Sequence, residues 1–412
     1  PARGGPRPPA GGAARPVDVP AQLNRWQVVA VSVCLLFGVL TATLQVLSWD
    51  ANRAAADNTE QLVRVQNIQS TLLRADALAT SAFLIGGLEP PAQRAAYDDA
   101  IDQVTRQVAE AAEAQPADRE ALAALNQTVT GYATTITQAR DNNRQGFPVG
   151  SAYLSGASSS LRTDALPIVS ALVAANSARA EDEMGSQRPS LLLLPGLLAL
   201  AVLWWLNQKL AATFRRRFNL GLGAAFVGIG VLTVVAVTVS AGQDGDNTGL
   251  QDGSYRSAVA EATARSAAND ARSNESLRLI NRGSGAAFEE AYVQARGTVQ
   301  RNATGQTLDL WTTYDGLHDK VVRLDEQGQW DQAVSQATSI DPDAVPDGST
   351  RAFDAFDTAS QDTIDTNAAA TTDELRSGNS GILVLAVVSL LVGLTAAGAC
   401  TWGIAARRRE YA

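Results

Sequence analysis

Chemically reactive side chains are scarce in this sequence. One histidine, His318, and two cysteines, Cys34 and Cys400, are all that its 412 residues provide. A lone histidine excludes a multi-histidine metal site, and His318 reads as a partly exposed helix position. Both cysteines fall inside apolar runs, where small apolar packing is their expected role. That excludes disulfides and an accessible thiol nucleophile from the polar segments. Ionisable side chains are missing from the apolar runs, which argues against an ion or substrate pathway. Asp341-Pro-Asp343-Ala-Val-Pro-Asp347 is acidic, but two prolines interrupt it and no closing glutamate follows, so it reads as a solvated loop. Gly221, Gly223 and Gly228 lie in an apolar run with no strand before them, which removes the nucleotide-loop reading. They suit close helix approach instead, as do Gly393 and Ala397. No catalytic constellation, cofactor or metal is expected.

What the chain does have is four apolar runs, 27–48, 190–206, 219–241 and 381–405. A helix needs about 20 apolar residues to cross a bilayer. The second run is shorter, and thinning or an upright helix would accommodate it. The flanking short segments 1–26, 207–218 and 406–412 hold eleven cationic residues against Asp18 and Glu410. The long segments 49–189 and 242–380 are acidic. Cationic flanks stay in the cytoplasm, so both termini are expected inside and both long segments outside. Trp26, Trp49, Trp204, Trp205 and Trp402 sit at run ends, as interfacial aromatics do. The first run is too long for a cleaved signal peptide. The proline- and glycine-rich start reads as a disordered tail. The short segments are too small for a kinase or cyclase domain, which needs on the order of 100 residues. The chain is expected to be non-enzymatic.

Both long segments carry helical periodicity. In the first, Val65, Ile68, Leu72, Ala75, Ala79 and Ala82 form one seam. Tyr97, Ile101, Val104, Val108 and Ala111 form the next. Leu122, Leu125, Val129, Tyr132, Ile136 and Ala139 form a third, and Leu161, Ala165, Ile168, Leu172 and Ala175 a fourth. Breaks at 86–91, 115–116 and 146–148 separate them, which predicts an up-down-up-down four-helix bundle. Its first and last helices are expected to continue the apolar runs without interruption. The second segment repeats the plan at an offset of 195 residues: Ser81 meets Ser276, Leu84 meets Leu279, Tyr97 meets Tyr292 and Val104 meets Val299. That suggests an internal duplication. The third helix there shows Leu310, Tyr314, Leu317, Val321 and Leu324. The last is weaker, with Phe353 and Phe356 followed by Thr363 and Asn367, and looser packing is expected. The fold class is therefore an all-α membrane protein with four transmembrane helices and two tandem extracytoplasmic four-helix bundles. An intrachain pseudo-dimer, or a homo-oligomer, follows as a hypothesis.

Acidic outer segments disfavour nucleic acid. For a small anion, arginine forks on the bundles are candidate clamps: Arg64, Arg74, Arg265, Arg272, Arg278 and Arg282. For a protein partner, apolar side chains at the breaks are candidate anchors: Leu88, Pro90 and Pro91; Phe147, Pro148, Val149 and Tyr153; and Trp330. Solvated helix faces and caps on the bundle core are the competing readings. On the inner side, Arg215, Arg216, Arg217, Arg407, Arg408 and Arg409 can meet anionic membrane lipid or dock a soluble signalling protein.

The repeated unit resembles two-span bacterial receptors with four-helix sensor domains. The whole architecture, with the segments Gly150-Ser-Ala-Tyr153-Leu-Ser-Gly-Ala-Ser and Gly328-Gln-Trp330-Asp-Gln-Ala and a lysine-poor composition, resembles the actinobacterial GlnX-type membrane proteins. That resemblance implies an outer region that senses a solute-binding lipoprotein, GlnH, loaded with aspartate or glutamate. It also implies a signal to a cytoplasmic serine/threonine kinase, PknG, in nitrogen metabolism. No site residue is carried over from it. Alternatives are a structural or accessory subunit in envelope assembly or export, and a chemoreceptor-like protein that binds small ligands directly.

Overall fold

A computed structural model describes residues 19–85, 89–145, 149–214, 219–377 and 379–410, with only the backbone for residues 19, 20, 214, 379 and 407–410. Every regular element among them is a helix. They are α1 (Val19–Ile85), α2 (Pro91–Ala114), α3 (Arg119–Arg144), α4 (Val149–Ser160), α5 (Leu166–Met184), α6 (Pro189–Phe214), α7 (Leu220–Leu250), α8 (Arg256–Ile280), α9 (Ala286–Asn302), α10 (Gly305–Glu326), α11 (Trp330–Thr338), α12 (Ser349–Ser377) and α13 (Asn379–Glu410). Single π turns, Leu161–Ala165 and Gln251–Tyr255, join α4 to α5 and α7 to α8. The described residues divide into two compact units: those within 1–49, 187–244 and 380–412 form one, and those within 50–186 and 245–379 the other.

The apolar unit holds four helical stretches long and apolar enough to cross a membrane. Its interior is small and apolar: Ala30, Cys34, Phe37, Leu203, Ile229 and Cys400 are buried together. Large aliphatics such as Leu198, Val234 and Leu394 face outward, as a lipid-facing surface requires. Glycine sets the closest approaches. A Cβ on Gly393 would lie 2.9 Å from the Cys34 carbonyl oxygen and from the Gly38 Cα, so α1 and α13 touch backbone to backbone. Gly221 and Gly403 do the same for α7 and α13. The two cysteine Sγ atoms lie 3.8 Å apart, and Ser389 donates to Gln45 Oε1 at 3.1 Å.

In the polar unit the first bundle is built from the residue 50–85 part of α1 with α2, α3 and α4–α5. Pro91 opens α2 at a position whose N–H needs no partner. Three seams pack much as their periodicity predicts, from Val65 to Ala82, Tyr97 to Ala111 and Leu122 to Ala139, with Ile101 only half-buried. The fourth differs. Past the π turn the buried residues are Val169, Leu172, Asn176, Ala180 and Met184, and Ala175 is exposed. A π turn inserts one residue and rotates everything after it, so steps counted on an ideal helix drift off the buried face. The expected unbroken run into α6 also fails: Gly185–Arg188 separate it from α5.

The second bundle comprises α8, α9, α10 and α12, with the short α11 inserted. Gly283 and Gly328, at φ 78° and 73°, follow α8 and α10 in the left-handed conformation that glycine adopts without strain. The core is aromatic. Trp311 packs on Tyr314 (5.3 Å between ring centres) and Phe356 (5.6 Å), and Tyr314 on Phe353 (5.2 Å). The buried face of α10 is Thr307, Trp311, Tyr314, His318 and Val321, whereas Leu310, Leu317 and Leu324 are half-buried. His318 is fully buried, contrary to the expectation of partial exposure. On α12 the apolar contacts of Phe353, Phe356 and Ile364 give way to buried Asp357, Ser360, Thr371 and Thr372.

Candidate functional site

Helices α1 and α8 of the polar unit meet through polar contacts. Asp76, Thr80, Asn269, Ser273, Asn274 and Glu275 are all buried. Buried polar groups need partners; Thr80, Asn269, Asn274 and Glu275 find them within their own bundle, and Asp76 and Ser273 find each other across the two. Asp76 accepts from Tyr132 (3.1 Å) and Ser158 (2.6 Å) of its own bundle, and from Ser273 (2.6 Å) of the other. Arg162 donates to Asp76 at 3.0 Å and to Asp270 at 2.7 Å. Burial works against that guanidinium's charge, but Asp76 and Asp270 outweigh it and hold its pKa above the ordinary value. In the mirrored place Arg265 donates to both oxygens of Asp357 (2.8 and 3.0 Å), and Arg74 lies 3.6 Å from the same carboxylate.

Two of these contacts join residues one repeat apart. Asn247 Nδ2 donates to Asn52 at 3.1 Å, and Arg265 Nη1 to Ser70 at 2.9 Å, each across 195 positions. Counterpart residues meet in this way near the axis of a two-fold dimer. A third pair of counterparts has opposite charge. Arg162 reaches from α4–α5 to Asp270 of the other bundle, and its counterpart Asp357 reaches from α12 to Arg74.

A cavity of about 190 Å³ opens between the bundles, walled by α1 and α2 on one side and α8 and α12 on the other. It brings together two arginines picked from the sequence, Arg74 and Arg272. The Arg272 side chain is buried and stacks on Phe353, 4.9 Å from the ring centre. One nitrogen donates to Thr350 at 2.9 Å, and Nη1 has no hydrogen-bond partner. Among the described residues no carboxylate forms an ion pair with Arg272. Arg74 is half-exposed at the edge. A second cavity, about 270 Å³, shares Arg74 and is lined by Arg265, Asp357 and Gln361. There the cation is already satisfied, since Arg265 holds Asp357, Ser70 and Gln361.

The other candidates lie apart from these cavities. Arg64 makes a surface ion pair with Glu60 one turn away. Arg278 is held inside the second bundle by Glu289 at 3.2 Å and Asp325 at 3.4 Å. Trp330 is half-buried. Its indole N–H donates to the Leu279 carbonyl at 2.9 Å, and Arg282 lies 3.5 Å over its ring. Val149 and Tyr153 are exposed on α4, and Pro90 precedes α2. Leu88, Phe147, Pro148, Arg215, Arg216 and Arg217 lie outside the described residues, as do the side chains of Arg407, Arg408 and Arg409. Sequence reading missed the buried cluster at His318. Its Nδ1 lies 2.8 Å from Glu275 and its Nε2 3.4 Å from Glu289, with Tyr292 stacked 3.4 Å away. Burial lowers an imidazole's pKa, but the bonds to Glu275 and Glu289 reverse this and push it up to about 9. The signal was there in the pattern: His318 falls one step of four after Tyr314 and one of three before Val321.

Residues 51–185 match the family model described as Actinobacterial sensor domain. The match covers the first bundle. No curated protein and no solved structure matches the chain. Helical architecture, four apolar membrane-compatible helices and this match together support an actinobacterial sensor protein of the membrane.

Proposed function

We propose that this chain is a non-enzymatic transmembrane sensor whose two bundles work as a covalent pseudo-dimer outside the cell and relay binding there to the cytoplasm. The observation that carries the reading is the contact of counterpart residues, Asn52 with Asn247 and Ser70 with Arg265, in a unit whose first half matches a sensor domain. The orientation rests on the arginine distribution, which puts the basic segments inside. An outer ligand shifts such a unit only by preferring one packing of the bundles over another. α1 is continuous from Val19 to Ile85, so a single helix runs from the first bundle into an apolar run.

The resemblance to GlnX-type proteins supplies the finer reading: the stimulus is a solute-binding lipoprotein carrying aspartate or glutamate, and the output is a serine/threonine kinase. The test is a pulldown of the full chain in lipid nanodiscs with that lipoprotein, with and without glutamate. Glutamate-dependent capture is expected. No capture in either condition would overturn the lipoprotein reading. Reporter fusions within 119–144 and 305–326 test the orientation separately, and a cytoplasmic signal at either would overturn it.

A further inference from the structure

We propose that a cavity inside the first bundle binds a small carboxylic acid with an apolar body, the body between the four helices and the carboxylate at the arginines of the rim. The inference adds a direct ligand to the sensor reading and rests on the geometry of that one bundle.

All four helices of the bundle contribute walls. Ala79, Ala82, Ile136, Ala139 and Leu154 form an apolar floor, each no more than 6% exposed. Glu89, Arg94, Arg140 and Arg144 stand around it, so cationic side chains outnumber anionic ones on the walls by three to one. The space is about 230 Å³. An apolar cavity of ~150 Å³ already accepts benzene. The remainder leaves room for a carboxylate, and the whole excludes a peptide or a nucleotide.

The second bundle shows the same place filled by the chain itself. At the 195-residue offset Ala82 corresponds to Leu277, Phe83 to Arg278 and Arg94 to Glu289. The buried faces of α3 and α10 correspond step for step, Leu125, Val129, Tyr132 and Ile136 with Thr307, Trp311, Tyr314 and His318. Asn143 and Arg144 then correspond to Asp325 and Glu326. In the second bundle Arg278 reaches across these positions: it lies 3.2 Å from Glu289, 3.4 Å from Asp325 and 3.6 Å from Glu326. There a cation of the chain sits within an acidic rim. In the first bundle the rim is reversed to arginine at two of these positions, and Phe83 stands in place of the guanidinium. Charge complementarity at such a rim calls for an anion, and the floor calls for an apolar body.

The rim arginines differ in how firmly they are held. Arg140 is committed: it bonds Glu89 at 2.9 Å and covers the Tyr97 ring, 4.0 Å from its centre. Arg94 pairs with Asp98 at 3.6 Å and Arg144 with Asp141, each partner one turn away on the same helix and about half-exposed. Surface pairs of that kind contribute little, so a ligand carboxylate displaces them at small cost and gains guanidinium forks. This is also the bundle that matches the sensor family. A ligand touching all four helices favours the packing that keeps the cavity open.

The test is calorimetry on the full chain in nanodiscs, with empty nanodiscs as the blank. The probes are benzoate, phenylacetate and isovalerate, their amides, and acetate. Valine and phenylglycine, which add an ammonium group to isovalerate and phenylacetate, complete the set. Saturable binding of at least one apolar acid is expected, with its amide and acetate at least tenfold weaker. The amino acids should also be at least tenfold weaker, because their ammonium group meets the arginines. Ala82→Leu, which installs the residue found at the corresponding place in the second bundle, should weaken binding at least tenfold. Arg94→Gln and Arg144→Gln should each weaken it several-fold, and Arg256→Gln, on an exposed pair in the second bundle, should change nothing. If Ala82→Leu melts below the parent, the two exposed arginine variants decide. No saturable heat with any apolar acid, an amide, acetate or amino acid binding as tightly as the acid, or unchanged affinity in the arginine variants would each overturn the proposal. The reporter fusions judge the sensor reading separately: an inward-facing bundle would sink that reading and leave the measured heats standing.

Discussion

His318 and Asp76 show how single buried groups hold this protein together. His318 is raised from its ordinary value to about 9 against the desolvation that would lower it, through Glu275 and Glu289. A raised folded-state pKa adds stability that is fully present below the unfolded value near 6.5 and lost as pH rises through the folded value. Thermal melting of the full chain should therefore fall between pH 6.5 and 9.5, and His318→Gln should flatten that slope. A parent protein with no loss over this window would refute the buried ion pair. His318→Leu, which strands Glu275 in the core, should cost about 3 kcal/mol. Asp76→Ala takes one of the two carboxylates from Arg162 and removes three further bonds, with a similar cost of about 3 kcal/mol, measured by denaturant unfolding. The periodic step on which His318 falls was in the pattern, but the role of Asp76 was not legible beforehand. An aspartate on an amphipathic helix looks like a surface residue, because one-dimensional periodicity cannot show that a second polar helix covers it. The same blind spot hid α8, whose buried face includes Glu261, Arg265, Asn269 and Arg272. Arg74 and Arg272 were candidates by residue type alone; that they line one cavity required the pairing of two bundles.

Among the elements, the seams of α2 and α3 were read nearly residue for residue, because long regular helices repeat one geometry and apolar side chains have one place to go. Irregular turns were where reading stopped. The π turn at 161–165 leaves no mark in composition, yet it rotates α5 and aims Arg162 at Asp76 and Asp270. In the apolar unit, α1 and α13 meet through Gly38 and Gly393, with Cys34 and Cys400 3.8 Å apart. Mild oxidant should join these cysteines in the membrane-embedded chain, detected as a shifted, reductant-sensitive band in a non-reducing gel after cleavage within 215–218. Gly393→Val places a methyl group against the α1 backbone and should abolish that bond. Efficient crosslinking in the valine variant would contradict the close approach.

For the molecule as a whole, matched positions 195 residues apart suggested a repeat, and that two such pairs, Asn52 with Asn247 and Ser70 with Arg265, touch became visible only in the structure. The charge inversion between position 162 and position 357 has an outcome of its own. Were two first bundles to associate in the same geometry, Arg162 of one would stand where Asp357 now faces Arg74, cation against cation. Two second bundles would set Asp357 against Asp270. Fragments 1–214 and 219–412, co-expressed in one cell, should accordingly co-purify as a one-to-one complex, and each expressed alone should stay unpaired. With opposite charges at these two positions, each half is complementary to the other and not to a copy of itself.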